Sequence, residues 1–153
     1  MQSYEYVIIG GGLAGQRAGD GIRKVDAEGT IALVTAEPHV PYERPPLSKG
    51  YLTGKKGLDR VYLKEDAYYA QNAIEVITGT RATRIDPAAR SVTLGDGRTL
   101  GYEKLLLATG GRAWRLPIPG NDLPGVFTLR TIEDSDGIRD AAKSGKQALV
   151  LGG

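Results

Sequence analysis

A short apolar run, Tyr4-Glu5-Tyr6-Val7-Ile8-Ile9, leads directly into Gly10, Gly11 and Gly12, and Gly15 follows three residues later. The run is β-branched and aromatic, so it reads as a buried strand over 4–9. "LAGQRAGDGIRK" (13–24) reads as a helix. It ends in Arg23 and Lys24, where cations suit the negative end of a helix dipole. Gly19 and Gly21 weaken it, each by up to about 1 kcal/mol relative to Ala. "TIALVTA" (30–36) is the next buried strand. Strand, glycine turn, helix, strand is a βαβ unit, and its two strands run parallel.

In that setting Gly10-x-Gly12-x-x-Gly15 has the context of a dinucleotide fingerprint. The glycines permit the tight turn, close approach of backbone to a pyrophosphate, and close contact of helix and strand. The helix N-terminus adds N–H groups and a positive dipole end. Glu37, just past the second strand, can accept hydrogen bonds from an adenosine ribose. The bland reading of Glu37 is a solvated loop acid. Glycines and acid together indicate a dinucleotide without choosing between NAD and FAD.

The bulk numbers narrow the function classes. At 153 residues the chain supports one ordinary domain with a core. Its net charge of +2 is too small and too evenly spread for a nucleic-acid surface. It has no cysteine, which removes disulfides, thiolate zinc sites and a redox dithiol. The single histidine, His39, cannot build a metal site alone, and no metal is expected. No apolar stretch approaches the roughly 20 residues that span a bilayer. The first strand begins at Tyr4, too early for a leader with a charged and an apolar region. The expected compartment is the cytoplasm of a prokaryote, or an organelle lumen.

"PYERPPLSK" (41–49) carries three prolines, which fix φ and stiffen the loop. Such rigidity is useful if Arg44 and Lys49 must hold fixed positions against a ligand. From composition alone an ordinary stiff surface connection explains it equally well. "PLSKGYL" (46–52) suggests one or two helical turns, "KEDAYYAQ" a short helix, and "IEVIT" (74–78) a strand. Between 80 and 102 the texture changes to short β-prone runs separated by "DPAA" and "GDG". These predict three antiparallel strands near 80–86, 90–95 and 98–102. A buried parallel strand follows at 103–108. Thr131 caps a helix over 131–145, with acids in its first turns. "QALVLGG" (147–153) reads as one more buried strand entering two glycines. The predicted parallel order is 74–78, 30–35, 4–9, 103–108. Tyr62, Tyr68 and Tyr69 are expected to pack a helix, His39 to sit in a loop beside the adenosine site, and Trp114 to shield a cofactor or cover the core.

Taken in order, "VIIGGGLAGQRAG", "PYERPPLSKGYL", "LGDGRTLGYEKLLLATGGRAWRLPIPG" and "VFTLRTIEDSDGIR" resemble the ferredoxin-reductase branch of the FAD-dependent pyridine nucleotide-disulfide oxidoreductases. The resemblance covers essentially the whole chain. It implies an α/β, Rossmann-like FAD-binding domain with a parallel sheet and a small antiparallel meander. It also implies the truncated start of a second Rossmann unit. The domains would be 1–145 for FAD and 146–153 as the first strand of an NAD(P)H unit, with Gly152 and Gly153 opening its fingerprint. By match to the motifs, Gly10, Gly12, Ala14 and Gly15 would face the pyrophosphate and Glu37 the ribose. Arg44 and Lys49 would lie near the pyrophosphate and the flavin ring. Ala82 would contact adenine through its backbone. Thr109, Gly110 and Arg130 would pass close to the cofactor.

Lys49 has a rationale of its own. A fixed ammonium beside the flavin stabilises the negative charge left by an arriving hydride, which makes it the expected catalytic group. The implied activity is electron transfer from NAD(P)H through FAD to a ferredoxin or rubredoxin-type iron–sulfur protein, with no nucleic-acid or membrane partner. Family members are much longer, so the chain reads as an N-terminal fragment, inactive alone, with an exposed apolar edge beside 103–108. The rival readings are a flavin-binding signalling protein resembling apoptosis-inducing factor, and a non-catalytic dinucleotide-binding module.

Overall fold

A computed structural model describes residues 1–145 and 147–151. The chain divides into two compact units. The first is Met1–Glu43 with Tyr62–Gly110, and the second is Arg44–Val61 with Gly111–Gly153.

The first unit is built on one six-stranded sheet. Its strands are β1 (Gln2–Ile9), β2 (Ile31–Val34), β3 (Ile74–Ile77), β4 (Ala82–Asp86), β5 (Ser91–Leu94) and β6 (Thr99–Leu107), in the order β3-β2-β1-β6-β5-β4. The four-strand part β3-β2-β1-β6 is parallel, in the order the sequence predicts, and β4 and β5 add an antiparallel meander. Helices α1 (Leu13–Val25) and α2 (Asp66–Gln71) make the βα crossovers.

Side chains of β1 and β2 alternate between the two sheet faces, as the strand period demands. Val7, Ile9, Ala32 and Val34 join Val92, Leu94 and Leu100 in one buried cluster. Ile8, Ile31 and Leu33 join Tyr69 and Ile74 in the other, with Ala18 and Ile22 of α1 packed against it. Tyr69 therefore packs a helix on the sheet, as expected. The Tyr68 hydroxyl donates to the Asp20 carboxylate at 2.8 Å and ties α2 to α1.

One expectation is corrected here. The runs 98–102 and 103–108 are not two strands but the single strand β6, which pairs with β5 over Thr99–Gly101 and with β1 along its length. Gly101 does not break it. Gly101 is buried opposite Ser3, and a Cβ there would meet the Ser3 Oγ at 2.6 Å. Glycine at this place marks a close approach rather than a turn. Beyond Gly101 the far side of β6 has no ladder partner among the described residues, and Leu106 and Leu107 are exposed. This is the apolar edge the sequence anticipates.

In the second unit, Pro45–Ser48 forms one 3-10 turn, with proline in its first positions. Helix α3 (Ile132–Ser144) begins with a reciprocal capping box. The Thr131 hydroxyl accepts from the Asp134 N–H, and the Asp134 carboxylate accepts from the Thr131 N–H. Trp114 is exposed and covers no core. Residues 147–151 take no strand and stand exposed, against the buried strand expected there. A parallel strand requires a neighbour to bond with, and none is present among the described residues. Gly152 and Gly153 lie outside the described residues. Among those residues no helix is long and apolar enough to cross a membrane.

Candidate dinucleotide site

The glycine turn joins the C-terminal ends of three strands. The Gly10 N–H donates to the Val34 carbonyl at the end of β2, and the Ala108 N–H donates to the Ile9 carbonyl at the end of β1. Gly10 holds φ at +129°, and a Cβ on it would lie 2.1 Å from the Ala108 carbonyl oxygen and 3.0 Å from the Thr109 nitrogen. Only glycine can turn the chain there. The turn and the segment that follows β6 are therefore brought together at Ala108 and Thr109. A Cβ on Gly15, in the first turn of α1, would lie 2.0 Å from the Gly10 carbonyl oxygen, so this glycine sets how closely helix and strand pack.

Gly12 differs from both. A Cβ there would meet nothing within 4 Å. Sterics inside the chain do not demand glycine at this place, but the approach of a ligand to bare backbone would. Gly12 is also the N-cap of α1, with no side chain to satisfy the first-turn N–H groups, and no acid occupies that turn. Ala14 in that turn is exposed. Bare backbone over an uncapped helix start suits an anionic diphosphate.

Glu37 is half-buried just past β2, and its carbonyl accepts from the Gly79 N–H at 2.9 Å. Its carboxylate accepts a short hydrogen bond from the hydroxyl of Tyr42, which is buried. Tyr42 also bridges to Tyr62 through the backbone, and the Tyr62 hydroxyl lies 3.1 Å from His39 Nδ1. His39 is a loop residue, as expected, and its ring neighbours are Tyr42 and Tyr62. Tyr62 belongs to this loop cluster and not to a helix. Ala82 opens β4 beside a register irregularity between Ala82 and Arg84.

Arg44, Lys49 and Arg130 belong to the second unit. Arg44 Nη1 donates to the Arg130 carbonyl at 2.6 Å. The Lys49 N–H donates to the Pro46 carbonyl at 2.9 Å, and its own carbonyl accepts from the Thr53 N–H and Oγ1, each at 3.1 Å. Its side chain is exposed. Two neighbours of this loop reach α3. The Tyr51 hydroxyl donates to Asp136 at 2.9 Å, and the Ser135 hydroxyl donates to the Leu47 carbonyl at 2.8 Å. Burial, then the Asp136 carboxylate, raise the Tyr51 hydroxyl above its usual pKa, so it stays a donor.

Sequence reasoning marks Tyr42 as an aromatic anchor of its loop but misses its bond to Glu37, and it misses Tyr51, Ser135 and Asp136. Tyr42 stands five residues from Glu37, and only the loop path reveals the pairing. The contacts to Ser135 and Asp136 join residues 88 and 85 positions apart, with no local signal at all.

The model of the pyridine nucleotide-disulphide oxidoreductases matches residues 4–153. The chain belongs to that family. It is 39% identical over its whole length to a 5,5'-dehydrodivanillate O-demethylase ferredoxin reductase subunit of Sphingobium, and covers 37% of that protein. It is 39% identical over 147 residues to a rubredoxin-NAD(+) reductase of Pseudomonas putida, spanning 96% of this chain and 38% of the relative. Among solved structures it resembles the reductase of a covalent putidaredoxin reductase–putidaredoxin complex. There the TM-score is 0.81 and the identity 39%, over 92% of this chain and 34% of the other. The chain thus spans little more than a third of the length of these relatives. Family membership implies flavin and pyridine-nucleotide chemistry, and the bare glycine turn over an uncapped helix start fits the diphosphate that such cofactors carry.

Proposed function

We propose that this chain is the FAD-binding part of a cytoplasmic reductase that moves electrons from NAD(P)H to a small iron–sulfur protein of the ferredoxin or rubredoxin type. One observation carries the reading: a glycine turn closed by backbone at Gly10 and Gly15 yet open at Gly12, on a chain 39% identical over its whole length to a ferredoxin reductase subunit. FAD, when bound, accepts hydride and releases single electrons.

The protein's own residues do the holding. Gly10, Gly12, Ala14 and Gly15 present backbone to the pyrophosphate, with the dipole of α1 behind them. Glu37, oriented by Tyr42, accepts from the adenosine ribose. Ala82 borders the adenine through its backbone, and Thr109 and Gly110 line the cofactor's path. Arg44 and Arg130 counter phosphate charge, and Lys49 stabilises negative charge on the reduced ring. Residues 1–145 form the flavin domain, and 146–153 lead into a unit for NAD(P)H.

The test is reduction of a ferredoxin or rubredoxin by NADH or NADPH, using the longest natural form of the protein. Flavin-dependent turnover that is absent from the 153 residues alone supports the reading. A colourless protein that takes up NAD but no flavin rejects it and favours a non-catalytic dinucleotide module.

A further inference from the structure

Lys49 stands in a segment that α3 grips at two places. On one side of it, the Leu47 carbonyl accepts from the hydroxyl of Ser135, a residue with no exposure. On the other, the buried Tyr51 donates its hydroxyl to Asp136. Arg139 holds Asp136 through a 2.6 Å ion pair and lies 5.3 Å from the Tyr51 ring centroid, so the tyrosine is fixed at both its hydroxyl and its face. The segment is a single 3-10 turn, Pro45–Ser48, anchored by the buried Leu47 and by Arg44 on the Arg130 carbonyl, and the two ties to α3 are the side-chain bonds that flank Lys49 on both sides. Among the described residues Lys49 bonds through its backbone, to Pro46 and Thr53 of its own loop.

We propose that Ser135, Tyr51 and Asp136 are positioning residues for Lys49, so that α3 sets the charge felt by the reduced flavin without touching it. The inference rests on the assignment of Lys49 to the flavin made above. It has a consequence that a merely structural role lacks. Loss of either tie should alter the flavin's midpoint potential, and only while Lys49 is present.

The experiment measures that potential in the FAD-loaded, longest natural form. It uses Tyr51→Phe and Ser135→Ala, each alone and combined with Lys49→Met. Lys49→Met is expected to move the potential to more negative values. A tenfold loss of preference for the reduced form corresponds to about 30 mV for two electrons. Tyr51→Phe and Ser135→Ala are each expected to move it the same way by less, and to add nothing in the Lys49→Met background. Both variants remove one hydroxyl and leave the buried volume nearly intact. Hydrogen exchange of the Lys49 and Tyr51 amides in flavin-free protein is expected to accelerate in both. Shifts of equal size with and without Lys49, or none where Lys49→Met has one, overturn the positioning role and leave the Lys49 assignment standing. No shift in Lys49→Met sinks that assignment and the inference with it.

Discussion

The glycine turn of the first unit and the proline segment of the second are shaped by opposite means. At the turn, backbone does the shaping. Gly10 and Gly15 are demanded by carbonyl oxygens 2.1 and 2.0 Å from where a Cβ would sit, and what is offered outward is N–H groups and a helix dipole. At the proline segment, side chains do the shaping. Ser135 and Asp136 reach back 88 and 85 residues to hold the loop that carries Lys49. The first arrangement is intolerant of an added atom at Gly10 and Gly15. The second is adjustable, and its changes should appear in tuning rather than in binding.

The sharpest way to break this contrast is within the turn itself. Gly15→Ala forces a methyl onto the Gly10 carbonyl oxygen. Overpacking of this kind typically costs 1–3 kcal/mol, and a backbone neighbour has little room to yield. The expected result is a lowered Tm together with loss of flavin, read by thermal unfolding and the visible spectrum. Gly12→Ala should leave Tm nearly unchanged, because its Cβ enters open space, yet should weaken FAD. Equal stability losses in the two variants would contradict the division between packing and ligand glycines.

Glu37→Ala comes next. Losing charge-assisted hydrogen bonds to the ribose costs about 1.5–3 kcal/mol, or roughly tenfold to a hundredfold in affinity. A calorimetric titration with FAD reads it, and unchanged affinity would place the carboxylate away from the ribose. The smallest effect belongs to the second unit. Thr131→Ala removes the cap of α3 at a cost of about 1 kcal/mol in stability, visible in urea unfolding, with FAD affinity kept. A large loss of FAD would make α3 a binding element and not a tuning one.

Much of the first unit was legible because its signals are local. The run 4–9, the glycines and the apolar 30–36 lie close together and mark the βαβ unit. The meander was read with one strand too many, because Gly101 resembles a turn residue when its contact with Ser3 is out of sight. The exposed run at 147–151 was misread because its apolar composition matches a buried strand, whereas pairing depends on a neighbour. In the site, the glycines and Glu37 were visible as a spacing. Their partner Tyr42, and the ties from α3, are set by chain paths that no short window contains.

In the proposed reading, the turn, α1 and Glu37 hold the adenosine diphosphate half of the cofactor. Titration of flavin-free protein, in its longest natural form, with FAD and with FMN compares the same ring with and without that half. FAD should bind at least a hundredfold more tightly than FMN. Equal affinities would contradict the account, because the glycine turn would then contribute nothing to holding the flavin.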